Sequence, residues 1–237
     1  REDFLYQISS IEGVYIPSFY DVTYNEDNTV KEVVPNRENI PSKPHKRIIK
    51  DVENVPYPEK LIVPFIDTVH NRVVLELFRG CTRGCRFCQA GMIYRPIREK
   101  SVERLKEIVD KLVKSTGYDE ISLSSLSTSD YSKLSELTDY LVDEYASNNI
   151  GISLPSLRLD NFSMEIAEKI QQVRKSGLTF APEAGTQRLR DVINKGVTEE
   201  DLKNTTKKAF EMGWNSVKLY FMIGLPTERY DDLDGIR

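Results

Sequence analysis

A chain of 237 residues suits one large domain, or one domain with an appendage. With 39% apolar and 30% charged residues it has the balance of a folded globular protein, and a net charge of −4 excludes a polycation that coats nucleic acid. No apolar run approaches the ~20 residues of a membrane-spanning helix, and no signal peptide is visible. The chain opens at Arg1 without a Met and stops at Arg237 inside what reads as a helix start, so a fragment of a longer protein is expected.

Residues 1–72 differ from the rest. Two β-rich runs, Ser18–Tyr24 and Thr29–Val34, flank an Asn/Asp turn and read as a hairpin. Prolines at 35, 41, 44, 56, 58 and 64 then argue for extended chain, an interdomain segment rather than a domain. The basic stretch Lys43, His45, Lys46, Arg47 and Lys50 is the candidate for nucleic-acid contact. Asp51 and Glu53 follow at once, which favours a solvated linker.

From residue 73 to 237 strands and helices alternate. Strands are predicted over Val73–Phe78, Glu120–Ser125, Gly151–Leu154, Leu178–Ala181 and Ser216–Ile223. Helices are predicted over Ser101–Ser115, Ser132–Ser147, Ser163–Lys175, Thr186–Asn194 and Thr198–Met212, with another starting near Tyr230. Leu105, Ile108, Val109 and Leu112 recur at helical spacing, and Thr198 with Asp201 resembles a capping box. Such alternation implies βαβ units and a parallel sheet, which periodicity leaves open between a barrel and an open sheet. Either way, chemistry belongs at the carboxyl ends of the strands.

The first of those ends carries Cys81, Cys85 and Cys88, all the cysteines in the chain. An odd number packed so tightly is a poor disulfide framework and suits metal or redox chemistry in a reducing cytoplasm. Three thiolates on one loop can hold three irons of a [4Fe–4S] cube and leave the fourth open, as a catalytic centre requires. Gly80 and Gly84 allow the loop to wrap tightly. Arg79, Arg83, Arg86, Arg95, Arg98 and Lys100 surround it against a single nearby acid, Glu99, and such a field would offset an anionic cluster. A zinc tetrahedron would need a fourth ligand, from His45 or His70, both outside the predicted barrel.

Cys81-x₃-Cys85-x-Phe87-Cys88 resembles the signature of the radical S-adenosylmethionine (SAM) superfamily. The wider stretch from Glu76 to Pro96 resembles uncharacterised members that carry a cobalamin-binding-type domain ahead of the barrel. That likeness runs through nearly the whole chain. It implies an α/β fold, a partial TIM-like (βα)₆ barrel truncated after about the fifth strand, preceded by the hairpin and Pro-rich linker. It also implies a [4Fe–4S] cluster whose open iron is chelated by SAM, an external electron donor such as flavodoxin or ferredoxin, and cobalamin only through a domain outside this chain.

The resemblance extends to a SAM pocket. Phe87 would contact adenine. The loop after the second strand has Ser125 and Asp130 where many relatives have Gly-Gly-Glu for the SAM amino group. Arg158 would meet the SAM carboxylate or an anionic substrate, or merely pair with Asp160. Glu183 would accept from the ribose hydroxyls, Lys195 would reach the carboxylate with Arg188 as its rival, and Ile223 and Leu225 would line the base. Reductive cleavage of SAM to a 5′-deoxyadenosyl radical, which abstracts hydrogen from a substrate, is the activity implied, with methyl transfer as one outcome. The alternatives are an iron–sulfur electron-transfer module and a methylthiotransferase-like modification of RNA or protein.

Overall fold

The computed structural model describes residues 1–66, 68–155, 157–161, 163–174 and 177–237. Ser156, and the last residue of the helix predicted to end at Lys175, lie outside the described residues. The chain forms two compact units, Arg1–Lys50 and Asp51–Arg237.

The first unit opens with α1 (Glu2–Ile8), which the sequence reading missed. The expected hairpin follows: β1 (Tyr20–Tyr24) pairs antiparallel with β2 (Val30–Pro35), Tyr20 opposite Pro35. In its turn Asp27 Oδ1 accepts from Thr29 N at 3.0 Å, and Asn28 takes the left-handed conformation at φ 63° that asparagine tolerates. Ile16, Phe19, Tyr20 and Ile40 form the small core of this unit.

The second unit builds on β3 (Val73–Glu76) and β4 (Phe78–Arg79). Next come α2 (Ala90–Ile93), β5 (Arg98–Glu99), α3 (Val102–Thr116) and β6 (Glu120–Ser124). Then α4 (Leu134–Tyr145), β7 (Gly151–Ser153), α5 (Met164–Val173) and β8 (Leu178–Glu183) alternate, followed by α6 (Gln187–Val192), α7 (Glu199–Glu211), β9 (Val217–Phe221) and α8 (Tyr230–Asp234). Strands β3, β6 and β7 make one parallel sheet in that order, and β8 and β9 make a second parallel pair. This is the expected α/β architecture, with helices packed against parallel strands as in a partial barrel.

The alternation along β3 explains the packing. Val73 and Leu75 are fully buried against the helices, whereas Val74 and Glu76 point to the other face. On α3, Val102, Leu105, Ile108, Val109 and Leu112 form the buried stripe, roughly 1.5–3 kcal/mol for each large side chain removed from water. Ser101 caps this helix by accepting from Arg104 N, and Gly117 ends it in the left-handed conformation.

The first strand is shorter than predicted. Leu77 is the point of departure: its N–H still donates to Ser124 O of β6 at 3.0 Å, while its carbonyl accepts from Lys100 N at 3.0 Å, and Phe78–Arg79 then pair with Arg98–Glu99. Residues 51–72, read as linker, belong to the second unit. Val52 is buried, Tyr57 and Leu61 pack on the main core, and Glu53 accepts from Ser101 N at 2.8 Å.

Candidate functional site

The cysteine loop leaves β4 through Gly80, buried at φ +101°. A Cβ there would lie 2.7 Å from Pro96 O and 2.8 Å from Tyr94 O, so only glycine fits where these two backbones pass. Gly84 also takes a positive φ, +72°. Three neighbours hold the loop in place. Arg95 Nε donates to Cys81 O at 3.1 Å. Asn194 Nδ2 donates to Gly84 O at 2.9 Å, and Arg86 N to Ile193 O at 2.9 Å, which ties the loop to the end of α6. Arg83 reaches the ends of β6 and β7, where Asp130 and Asp160 accept from it.

All three cysteines are free, partly exposed, and line one cavity of about 330 Å³. Among the described residues no three His, Cys, Asp or Glu side chains converge on a single ion. Three sulfur donors on one cavity are the donor set of a cluster that keeps one iron open.

The strand ends complete the cavity. Glu183, last residue of β8, has φ +70°, an unusual conformation for a non-glycine, beside a register break between Phe180 and Glu183. Its carboxylate accepts from Lys195 Nζ at 3.0 Å, with only 15% and 10% of the two side chains exposed. Both line the cavity with Phe87 and Arg158. Of the eight residues predicted to meet SAM, these four are brought together with the cysteines.

The other four are placed elsewhere. Ser125 bonds Thr128 across 3.1 Å, and its neighbours Leu126 and Ser127 line the cavity instead. Arg188 bonds Asp232 and donates to Thr227 O at 3.0 Å. Leu225 is buried with Ala184, Leu189 and Ile193, and Ile223 is 77% exposed. Gly224, at φ +89°, turns the chain between them.

The positive field read from the sequence is smaller in the structure, because acids arrive from other elements. Glu76 meets both Arg79 at 2.9 Å and the buried Lys100 at 2.8 Å. Arg158, the candidate for an anionic group, donates to Asp160 Oδ1 at 2.9 Å, the pairing that the sequence also allowed. Burial opposes ionisation of Asp130, but bonds from Arg83, Ser127 and Asn161 outweigh it and hold its carboxyl down at about 2. Asp130 is therefore committed to Arg83. In the sequence Arg83 is one member of a basic field; its place between Cys81 and Cys85, with acids beyond two strand ends, is the signal for this pairing.

A parallel α/β fold gathers three free thiols and several strand-end side chains around one cavity, the layout of an enzyme core with room for a cofactor beside a second ligand. Residues 75–237 match the model of the radical SAM superfamily. The chain belongs to that superfamily, whose enzymes use a [4Fe–4S] cluster and SAM. It is 34% identical over 232 residues to an uncharacterised protein of Methanocaldococcus jannaschii, covering 92% of this chain and 51% of that one. It is 27% identical over 219 residues to a putative methylthiotransferase of the same organism, covering 86% and 48%. The chain thus spans about half the length of these relatives. Among solved structures, the radical SAM methyltransferase TsrM of Kitasatospora setae, with cobalamin and a [4Fe–4S] cluster bound, superposes with a TM-score of 0.54 at 13% identity, over 68% of this chain and 32% of that one. That likeness is one of fold. No helix among the described residues is long and apolar enough to cross a membrane.

Proposed function

We propose that Cys81, Cys85 and Cys88 hold the cluster, and that SAM lies in the cavity they share with Phe87, Arg158, Glu183 and Lys195. The observation that carries this reading is that one cavity of about 330 Å³ is lined both by all three thiols and by strand-end groups suited to a nucleoside amino acid. When bound, the cluster and SAM supply a one-electron cleavage that yields methionine and a 5′-deoxyadenosyl radical for hydrogen abstraction.

The chain's own residues do the positioning. Phe87, 39% exposed, offers an aromatic face between two ligands to the adenine. Glu183 accepts from vicinal ribose hydroxyls. Lys195, held by Glu183 on the wall of this cavity, would meet the SAM carboxylate as a compact cation. Arg188, bonded to Asp232, is the weaker rival for that role. Leu157, Phe180 and Tyr220 add apolar and aromatic surface to the wall of the same cavity.

For the outcome, the first reading is methyl transfer or a related modification of a substrate, the reaction of the methyltransferase that shares this fold, with cobalamin, where used, held by a domain other than these 237 residues. Methylthiotransfer is the second reading, favoured by the putative methylthiotransferase relative. That class adds a second cluster, for which this chain has no cysteine beyond the three. An external low-potential electron donor and a reducing, cytoplasmic setting complete the reading.

The test is anaerobic reconstitution with iron and sulfide, then SAM and dithionite. About four irons per chain and release of 5′-deoxyadenosine are expected. Wild-type amounts of that product from Cys85→Ala would end this reading.

A further inference from the structure

Arg83 occupies the middle of the Cys81–Cys85 span, and its guanidinium is gripped from two sides. Nε donates to Asp130 Oδ2 at 2.8 Å and Nη2 to the other oxygen of the same carboxylate, the bidentate geometry that only arginine makes. Nη1 donates to Asp160 Oδ2 at 3.0 Å. The two carboxylates sit on short helical turns, Thr128–Asp130 after β6 and Leu159–Asn161 after β7.

Those turns are knitted to each other as well. Asn161 Nδ2 donates to Ser129 O at 2.6 Å and to Asp130 Oδ1 at 3.1 Å, and Arg158 N donates to Ser129 Oγ at 3.0 Å. Ser127 Oγ adds a bond to Asp130 at 2.7 Å, and Arg158 closes the far side of Asp160. Only 14% and 15% of the aspartate side chains are exposed, so water competes weakly for them. Two cations and two anions balance, and the unit is anchored on two parallel strands that pair with each other.

We propose that Arg83 is a positioning residue for the iron–sulfur centre. Gripped by Asp130 and Asp160, it pins the span between the first two ligands to the ends of β6 and β7, fixing where those thiols stand before a cluster arrives and the charge around it afterwards. This rests on the three cysteines being the cluster ligands. Outer-shell groups of this kind govern both retention and potential of a metal centre.

Removing the guanidinium frees the loop and leaves one negative charge, on Asp130, uncompensated beside an anionic cluster, Asp160 keeping its bonds from Arg158. Arg83→Gln should therefore lose iron faster and be harder to reduce. Asp160→Asn keeps the bidentate grip but removes one negative charge, so it should retain iron better than Arg83→Gln and shift the midpoint the opposite way. Arg83→Lys keeps the charge without the fork. It should restore most of the potential and little of the retention.

Wild type and the three variants are reconstituted anaerobically with iron and sulfide. Iron release to a ferrous chelator is timed, and the midpoint is measured by potentiometric titration followed by electron paramagnetic resonance. About tenfold faster release from Arg83→Gln is expected, the factor equivalent to ~1.4 kcal/mol for a partly buried, hydrogen-bonded ion pair. If Arg83→Gln does not fold, the sign of the Asp160→Asn shift decides. A wild type that takes up no iron ends the underlying reading and this inference with it. A wild type that loads, beside Arg83→Gln and Asp160→Asn variants matching it in release and midpoint, overturns this inference alone.

Discussion

Asp130→Asn in the metal-free protein separates the electrostatic role of this carboxylate from any cofactor. The folded protein holds its carboxyl at about 2 against an ordinary 3.8. At 1.36 kcal/mol per unit the ceiling is about 2.4 kcal/mol. Arg83 is 32% exposed, so screening by solvent reduces this, and about 1–1.5 kcal/mol is expected. The sign follows from the depression. The contribution is whole above pH ~4, where the carboxylate is ionised even in the unfolded chain, and fades as pH falls through about 2. Urea unfolding of the apo wild type and of Asp130→Asn should show that gap at pH 7, with roughly half of it gone by pH 3. A gap of the same size at pH 7 and pH 3 would mean that ionisation is not its source, and the argument would be refuted.

Two further substitutions test packing and capping. A Cβ at Gly185 would lie 2.3 Å from Asp232 O and 2.7 Å from Ile236 N, so Gly185→Ala must push α8 away at a cost of about 1–3 kcal/mol. A thermal midpoint equal to wild type would contradict that close approach. Thr198 and Asp201 form the full capping box of α7, and Thr198→Ala should cost ~1 kcal/mol, a drop of roughly 2–4 °C in Tm. No shift in a calorimetric scan would show that the cap contributes nothing.

What the sequence disclosed was local. Leu105, Ile108, Val109 and Leu112 repeat at helical spacing and are all buried, and Thr198 and Asp201 cap their helix as their spacing suggests. Interactions between distant residues left no such trace. Glu53 completes the cap of Ser101 from 48 positions away, so the strap containing it read as linker. Asp130 neutralises Arg83 from 47 positions away, so a basic loop read as uncompensated charge. Ile223 and Leu225 are apolar, as an adenine wall requires, but neither lines the cavity of the cysteines. Side-chain direction there depends on the backbone turn at Gly224, which residue type does not encode.

Gly80 sets a limit on how this loop can vary. Oxygens of Tyr94 and Pro96 fill the space any side chain would need, whereas Thr82, two positions on, is exposed. Random libraries over residues 80–84 would return a single letter at the first position and a broad spectrum at the third. Tolerance within this stretch is thus set by backbone crowding as much as by chemistry.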